Sequence, residues 1–245
     1  MTFMDRPVIS PLPQKAAQFI DSIVRLQPRL AAFDCDGTLW PGNSGEEFFD
    51  WELTHSVVSD DVVRWARPRY AEYRAGKVSE DDMCAEMVTM HRGLQEAGVQ
   101  RAATQFVEEN FVAQIFPEMR ELVRRLQNSG CDVWAVSSTN EWVIRAAVRH
   151  CGIDEQKILA ATVQVEDGRI TDRMVRTPSG AGKPKAIREV IRRDPDAAFG
   201  NSRFDVEMLA MARHAFVVNP DPDLETTAQK LGWRVYWPDG TRSLG

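Results

Sequence analysis

The chain has 245 residues, 43% hydrophobic and 27% charged, a globular composition that excludes a disordered chain. A chain of this size buries about 70–75% of the surface its unfolded form exposes, so it needs no disulfide or metal staple to hold a core. Its 30 Lys and Arg stand against 36 Asp and Glu, a net charge of −6, which argues against nucleic acid as its main partner.

Taken in chain order, the N-terminal stretch to Ile20 holds Asp5, Arg6 and three prolines with no apolar run, so it does not read as a secretion signal. No run of eighteen apolar residues follows, and none of the chain is expected to span a membrane. Cys35, Cys84, Cys131 and Cys151 form no CxxC and no zinc-finger spacing. They are expected as buried small hydrophobes in a reducing cytoplasm.

Apolar residues at helical spacing (Ala17, Phe19, Ile20, Ile23, Val24) predict a helix over Gln14–Leu26, closed by Pro28. Leu30-Ala31-Ala32-Phe33 is too short for a helix and fits a buried parallel strand. From Trp40 to Val112 the pattern is helical throughout, with helices expected near Glu46–Leu53, Asp60–Arg74, Ser79–His91 and Val99–Val112. Ser79 is a plausible N-cap, followed by acidic residues.

Alternation then returns. Helices are expected at Pro117–Leu126, Asn140–His150, Ala181–Arg192, Phe204–Ala212 and Leu224–Leu231. Strands are expected at Asp132–Val136, Ala197–Phe199, Ala215–Val218 and Trp233–Trp237, and a hairpin at Ile158–Val165 and Ile170–Val175 around Asp167-Gly168. Strands alternating with helices imply a parallel sheet with right-handed crossovers. The fold class is therefore α/β: a Rossmann-like parallel sheet core (residues 1–40 and 113–245) with an inserted all-helical cap (residues 41–112).

In open parallel sheets ligands bind beyond the carboxyl ends of the strands, and the polar residues cluster there. The first strand ends in Asp34-Cys35-Asp36-Gly37-Thr38 and the strand from Asp132 in Ser137-Ser138-Thr139-Asn140. The strand from Ala197 ends in Gly200-Asn201-Ser202, with Asp205 four residues on, and Gly180-Ala181-Gly182-Lys183 opens a helix. Each cluster alone has an ordinary reading as a cap, turn or solvated surface. Together, in this order and each after its own strand, they describe one site.

DxDGTL, then hhhhSS, then GK at a helix start, then hhhGNSxxD resembles the haloacid dehalogenase superfamily from about residue 30 to the end of the chain. The likeness is to its phosphatase branch, and more closely to phosphoserine-phosphatase-type members with a helical cap after the first motif. The resemblance implies a phosphatase that hydrolyses a small-molecule phosphate monoester through an aspartyl-phosphate on Asp34. Asp36, two residues on, is the candidate general acid for the leaving group and then the base for water. Strand geometry places residues i and i+2 on one side, so both carboxylates are expected to face one cavity.

Two like charges about 4 Å apart repel by about 4 kcal/mol at an effective dielectric of 20, so an anionic nucleophile meeting phosphate needs a counter-charge. Mg²⁺ suits that need. By resemblance its ligands are the Asp34 carboxylate, the Asp36 backbone carbonyl and Asn201, where the family usually has Asp, with Asp205 holding a metal-bound water or an adjacent donor. Ser137 and the Ser138 N–H are expected on phosphoryl oxygens, with Lys183, or its rival Lys185, neutralising phosphate charge. Gly37 permits close backbone approach and Thr38 orders the loop.

Caps of phosphoserine phosphatases carry an arginine that grips the substrate carboxylate. At the matching place this chain has Glu86 and Met87, with His91 and Arg92 the nearest basic residues. Glu46 and Glu47 follow the first motif where such enzymes place an acid near the substrate amine, and Trp40 and Trp51 lie close by in sequence. The expected substrate is amine-bearing, such as phosphoserine or a phospho-amino-alcohol. A phosphotransferase, and a non-catalytic binding protein on a phosphatase scaffold, are the alternative readings.

Overall fold

The computed structural model describes residues 12–239 and 241. Residues 1–11, where the composition argued against a secretion signal, lie outside the described residues. In chain order the elements are α1 (Gln14–Val24), β1 (Leu30–Phe33), α2 (Ser44–Thr54), α3 (Asp60–Arg74), α4 (Glu80–Thr89), α5 (Glu96–Asn110), α6 (Pro117–Asn128), β2 (Asp132–Asn140) and α7 (Glu141–Val148). There follow β3 (Ile158–Glu166), β4 (Arg169–Arg176), α8 (Gly182–Val190), β5 (Ala197–Gly200), α9 (Val206–Met211), β6 (His214–Val218), α10 (Pro222–Leu231) and β7 (Arg234–Tyr236). No helix among the described residues is long and apolar enough to cross a membrane.

The seven strands form one sheet in the order β4-β3-β2-β1-β5-β6-β7, parallel except for the β3–β4 hairpin. The chain leaves β1 for β2 on one side and reaches β5 on the other, so the strand order reverses at β1. A crevice opens beyond the carboxyl end of such a strand, and it is where α/β sheets bind ligands.

Alternation along the strands sorts side chains to two faces. Phe33, Phe199 and Phe216 lie opposite one another on β1, β5 and β6, stacked with ring centroids 4.0 and 5.0 Å apart, on the face covered by α1 and α6. Ala32, Ala198 and Val217 point to the other face, against Ile187, Leu209 and Leu224 of α8, α9 and α10.

The helical insertion is continuous with this core. Phe48, Phe106, Val107 and Phe111 join the apolar cluster on the α1/α6 face of the sheet. Phe49 and Leu53, on the opposite side of α2, build a smaller cluster with Val58 and Ala66 of the α2–α3 region. Helix α2 thus stitches the cap to the sheet.

Two boundaries differ from the sequence expectation for identifiable reasons. β2 does not stop at Val136 but runs through the polar Ser137–Asn140, because Asn140 still pairs with Ala161 of β3 across a register shift. The cap of α7 is Asn140, whose Oδ1 accepts from the Val143 N–H at 3.0 Å, and not a serine of the pair before it. α10 begins at Pro222 rather than Leu224, with Asp221 accepting the Leu224 N–H at 2.6 Å.

One ion pair is sealed at the junction of cap and core. Glu52 of α2 and His91, just beyond α4, are 1% and 0% exposed and meet at 2.6 Å. His91 Nδ1 faces the Val88 carbonyl at 3.1 Å, and the ring packs edge-on against Trp142 of α7. Burial raises the Glu52 carboxyl more than His91 lowers it. Burial pulls His91 down, but the charge and hydrogen bond of Glu52 outweigh it, so the ring also stands above its ordinary value.

Both groups hold their protons to higher pH in the folded protein. The stability linked to them is therefore fully present below the ordinary carboxylate range and is lost as pH rises through the raised His91 value. Replacing Glu52 by Ala strands a buried imidazole and is expected to cost about 3–5 kcal/mol of unfolding free energy in a denaturant titration. The double replacement Glu52→Leu, His91→Leu is expected to recover part of that loss.

Candidate active site

Asp34 follows the last residue of β1 and its backbone N–H donates to the Phe199 carbonyl of β5 at 2.9 Å, which fixes the strand exit at the centre of the sheet. Its carboxylate is 6% exposed. Lys183, in the first turn of α8, is 2% exposed and donates from Nζ to Asp34 Oδ1 at 2.7 Å, to Asp205 Oδ1 at 2.6 Å and to the Val136 carbonyl at 3.0 Å. One ammonium therefore spends all three protons on groups from β1, β2 and the turn after β5. Lys185 is exposed and takes no part.

The Thr38 hydroxyl donates to the second Asp34 oxygen at 2.9 Å. Asp205 Oδ2 accepts from the Asn201 and Ser202 N–H groups, each at 3.0 Å, and from the Ser202 hydroxyl at 3.3 Å. Both oxygens of Asp205 are thus committed to protein donors. Its place is behind Lys183, where it holds the lysine and the turn carrying Asn201. Of the two roles the resemblance implied for it, holding a metal-bound water or holding an adjacent donor, this geometry matches the second.

Burial and the charge of Asp205 raise the Asp34 carboxyl to about 7 against the attraction of Lys183. Burial lowers Lys183, but the two carboxylates outweigh it and hold the ammonium charged. Two buried acids thus share one buried cation, and the pocket is short of positive charge.

The oxygen donors fit a hard dication that would supply it. The Asn201 side chain lies so close to Gly37 that a Cβ there would stand 1.9 Å from Nδ2 and 3.2 Å from Oδ1. The Asn201 amide thus adjoins the turn at Gly37, the residue that follows Asp36 in the chain. Asp34, the Asp36 carbonyl and Asn201 together offer few, all-oxygen protein ligands, the kind of set Mg²⁺ takes alongside water and phosphate.

Asp36 is half-buried and faces the cap. Oδ1 accepts from Trp40 Nε1 at 2.8 Å and the Ser44 N–H at 2.6 Å, and Oδ2 from the Thr139 hydroxyl at 2.8 Å. It thereby joins β1, the first turn of α2 and the end of β2. The approach is close: a Cβ on Gly45 would lie 2.7 Å from Thr139 Oγ1. Ser137 is 2% exposed and its hydroxyl accepts the Thr139 N–H at 3.1 Å, while Ser138 is half-buried at the rim.

Beyond Ser138 lies a cavity of about 40 Å³ between the end of β2 and helices α2, α3 and α4. Glu46 lines it, and the aromatic residues beside it are Tyr70 and Tyr73, not Trp40 or Trp51. Trp40 is fully buried on Asp36, and Trp51 stacks with Phe48 and His55. Glu86, at the place of a carboxylate-gripping arginine, is itself held by Arg69, with both N···O distances 2.7 Å. Cys84 lines the cavity as a half-buried thiol, unlike the other three, which are buried. A larger groove of about 750 Å³ between α5 and α7 holds none of the groups around Asp34.

Sequence reasoning placed Thr139 in the polar end of β2 without giving it a role, and it missed Asn219 and Glu80. Asn219 donates from Nδ2 to the Gly37 carbonyl at 3.2 Å from a left-handed backbone (φ 47°). It sits at the carboxyl end of β6, so the rule that found the other polar ends would have found it. Glu80 reads as an ordinary acidic first-turn residue, and no sequence signal separates it from Asp81 and Asp82.

A family model described as haloacid dehalogenase-like hydrolase matches residues 31–210. The phosphoserine phosphatase SerB1 of Mycobacterium tuberculosis is 26% identical over 215 residues, covering 84% of this chain and 69% of that protein. A histidinol-phosphatase of Neisseria meningitidis is 25% identical over 217 residues, covering 84% of this chain and 97% of that protein. Among solved structures, a protein of unknown function from Bordetella pertussis superposes with a TM-score of 0.75 at 23% identity, over 84% of this chain and 97% of that one. A phospho-aspartyl intermediate analogue of phosphoserine phosphatase superposes with a TM-score of 0.54 at 18% identity, over 81% and 90%, a likeness of fold.

Gly37 has φ +76° as well as the Asn201 contact. Gly37→Ala is expected to displace the Asn201 amide and to cost about 1–3 kcal/mol of stability, read from a denaturant titration.

Proposed function

From the premise that this chain belongs to the haloacid dehalogenase-like hydrolases and is a phosphoric monoester hydrolase, we propose that it cleaves a small phosphomonoester through a covalent intermediate on Asp34. The observation that carries this reading is the buried Asp34 carboxylate, gripped by Lys183 and Thr38 at the point where the strand order reverses.

A carboxylate needs no adjacent base to act as nucleophile. An Asp34 oxygen attacks phosphorus as the bond to the leaving oxygen breaks, and Asp36 gives that oxygen its proton. Asp36 Oδ1 already accepts two hydrogen bonds, whereas Oδ2 accepts one, so Oδ2 is the atom with a lone pair free to carry the proton. In the second step Oδ2 takes a proton from water, the water oxygen bonds to phosphorus, and the acyl-phosphate bond breaks to restore Asp34.

Ser137 and the Ser138 N–H serve the phosphoryl oxygens, and Lys183 holds Asp34 and neutralises phosphate charge. Mg²⁺, held by Asp34, the Asp36 carbonyl and Asn201, would supply positive charge to the phosphoryl group when bound. Asp205 positions Lys183 and the Asn201 turn. Glu46 faces the leaving-group side, which fits an amine-bearing substrate. The relatives named phosphoserine phosphatase and histidinol-phosphatase both act on such esters by name.

Asp34→Asn is expected to abolish phosphate release from p-nitrophenyl phosphate with Mg²⁺, by a factor of at least a thousand; retained turnover would place the nucleophile elsewhere. Asn201→Asp adds a charge where a neutral amide oxygen is proposed to bind. It is expected to keep activity and lower the Mg²⁺ concentration giving half-maximal rate, and an unchanged requirement would remove residue 201 from the ligand set.

A further inference from the structure

The cavity beyond Ser138 carries information about the leaving group that the catalytic residues do not. It adjoins the phosphate-facing end of β2 through Ser138 and Thr139, and its opposite wall belongs to the cap. Two carboxylates line it, Glu46 and Glu80. The Tyr73 hydroxyl donates to Glu80, while the Tyr70 hydroxyl feels both Glu46 and Arg74. Cys84, which lines the cavity beside Ser138, donates its thiol proton to Glu80 at 3.6 Å. Glu80 is thus fixed across the cavity from the catalytic strand end.

No Lys, Arg or His is among the lining residues. The nearest guanidinium, on Arg74, is 3.8 Å from Glu46, and its side chain is 65% exposed at the rim. Arg69 is spent on Glu86 and Glu72. Burial, and then the hydrogen bonds to Glu46 and Glu80, push both tyrosine hydroxyls above their ordinary values, so they remain neutral donors. A leaving group entering here meets two negative charges, phenol rings and the thioethers of Met83 and Met87. An ammonium is attracted by the carboxylates and by the ring faces. A carboxylate on the same molecule finds like charge, and the guanidinium at the rim, Arg74, already faces Glu46.

We propose that Glu80, with Glu46, selects phosphate esters of amino alcohols that carry an ammonium group and no carboxylate. The proposal rests on the reading of Asp34 as the phosphate-cleaving centre and narrows its substrate class. Glu80 lies on the cap and Glu46 at the start of α2, so the leaving group is recognised by residues that do not touch phosphorus.

The test is a phosphate-release panel on the full chain with Mg²⁺, using phosphoethanolamine, histidinol phosphate, phosphoserine, glycerol 3-phosphate and p-nitrophenyl phosphate. At least one of the first two is expected to exceed phosphoserine and glycerol 3-phosphate tenfold or more in kcat/KM. Turnover of p-nitrophenyl phosphate together with phosphoserine or glycerol 3-phosphate at or above both amino-alcohol esters would overturn the selectivity while leaving the phosphatase reading standing. No turnover of any ester would remove both. In Glu80→Gln the ratio of kcat/KM between the best amino-alcohol ester and glycerol 3-phosphate is expected to fall tenfold or more. An unchanged ratio would show that Glu80 only supports the cap.

Discussion

The ammonium of Lys183 is the point on which the rest of the site depends. A fully buried lysine is unfavourable unless each proton finds an acceptor, and here the three acceptors come from three separated parts of the chain: Asp34 after β1, Val136 in β2 and Asp205 after β5. They converge because β1 lies between β2 and β5 in the sheet. The same contacts set the charge of the pocket. With two acids against one cation the site lacks positive charge, and the oxygen donors beside Gly37 are where a hard cation would restore it.

The helical insertion meets this centre through Asp36. Its three donors come from the loop after β1, the start of α2 and the end of β2, so the group proposed to move the proton also pins the cap to the core. The apolar packing is consistent with that anchoring, because Phe48 and Phe106 belong to the core of the sheet while Phe49 and Leu53 belong to the outer helices. Labour is divided accordingly. In the proposed mechanism strand ends handle the phosphoryl group, whose geometry must be rigid, and the cap receives the leaving group, where acids and tyrosines on α2, α3 and α4 line the cavity.

Most of the architecture was legible from residue order. Helical spacing of apolar residues, short apolar runs and caps such as Ser79 located every strand and helix named from the sequence, and the apolar Leu30–Phe33 run marked the central strand. The motif residues Asp34, Lys183 and Asp205 were legible too, because rules about strand ends and helix starts single them out before any contact is known. Less legible was what each side chain does there. Asp205, expected to hold a metal-bound water or an adjacent donor, holds Lys183 with one oxygen and the Asn201 and Ser202 N–H groups with the other. The tryptophans near Glu46 in sequence turned inward, and tyrosines from the next helix took their place.

The reason lies in the range of the interactions involved. Helix and strand formation, capping and the polarity of strand ends are set by neighbours within a few positions, so residue order alone fixes where β1 ends and that Asp34 and Asp36 follow it. Which lysine proton meets which carboxylate, and whether Glu80 or Trp51 faces Glu46, depend on contacts between residues far apart in the chain. Those contacts exist only after the apolar faces of the sheet and helices have packed, and packing settles orientation through volume and burial rather than through local pattern. Lys183 and Asp34, 149 positions apart and 2.7 Å from each other, mark that boundary.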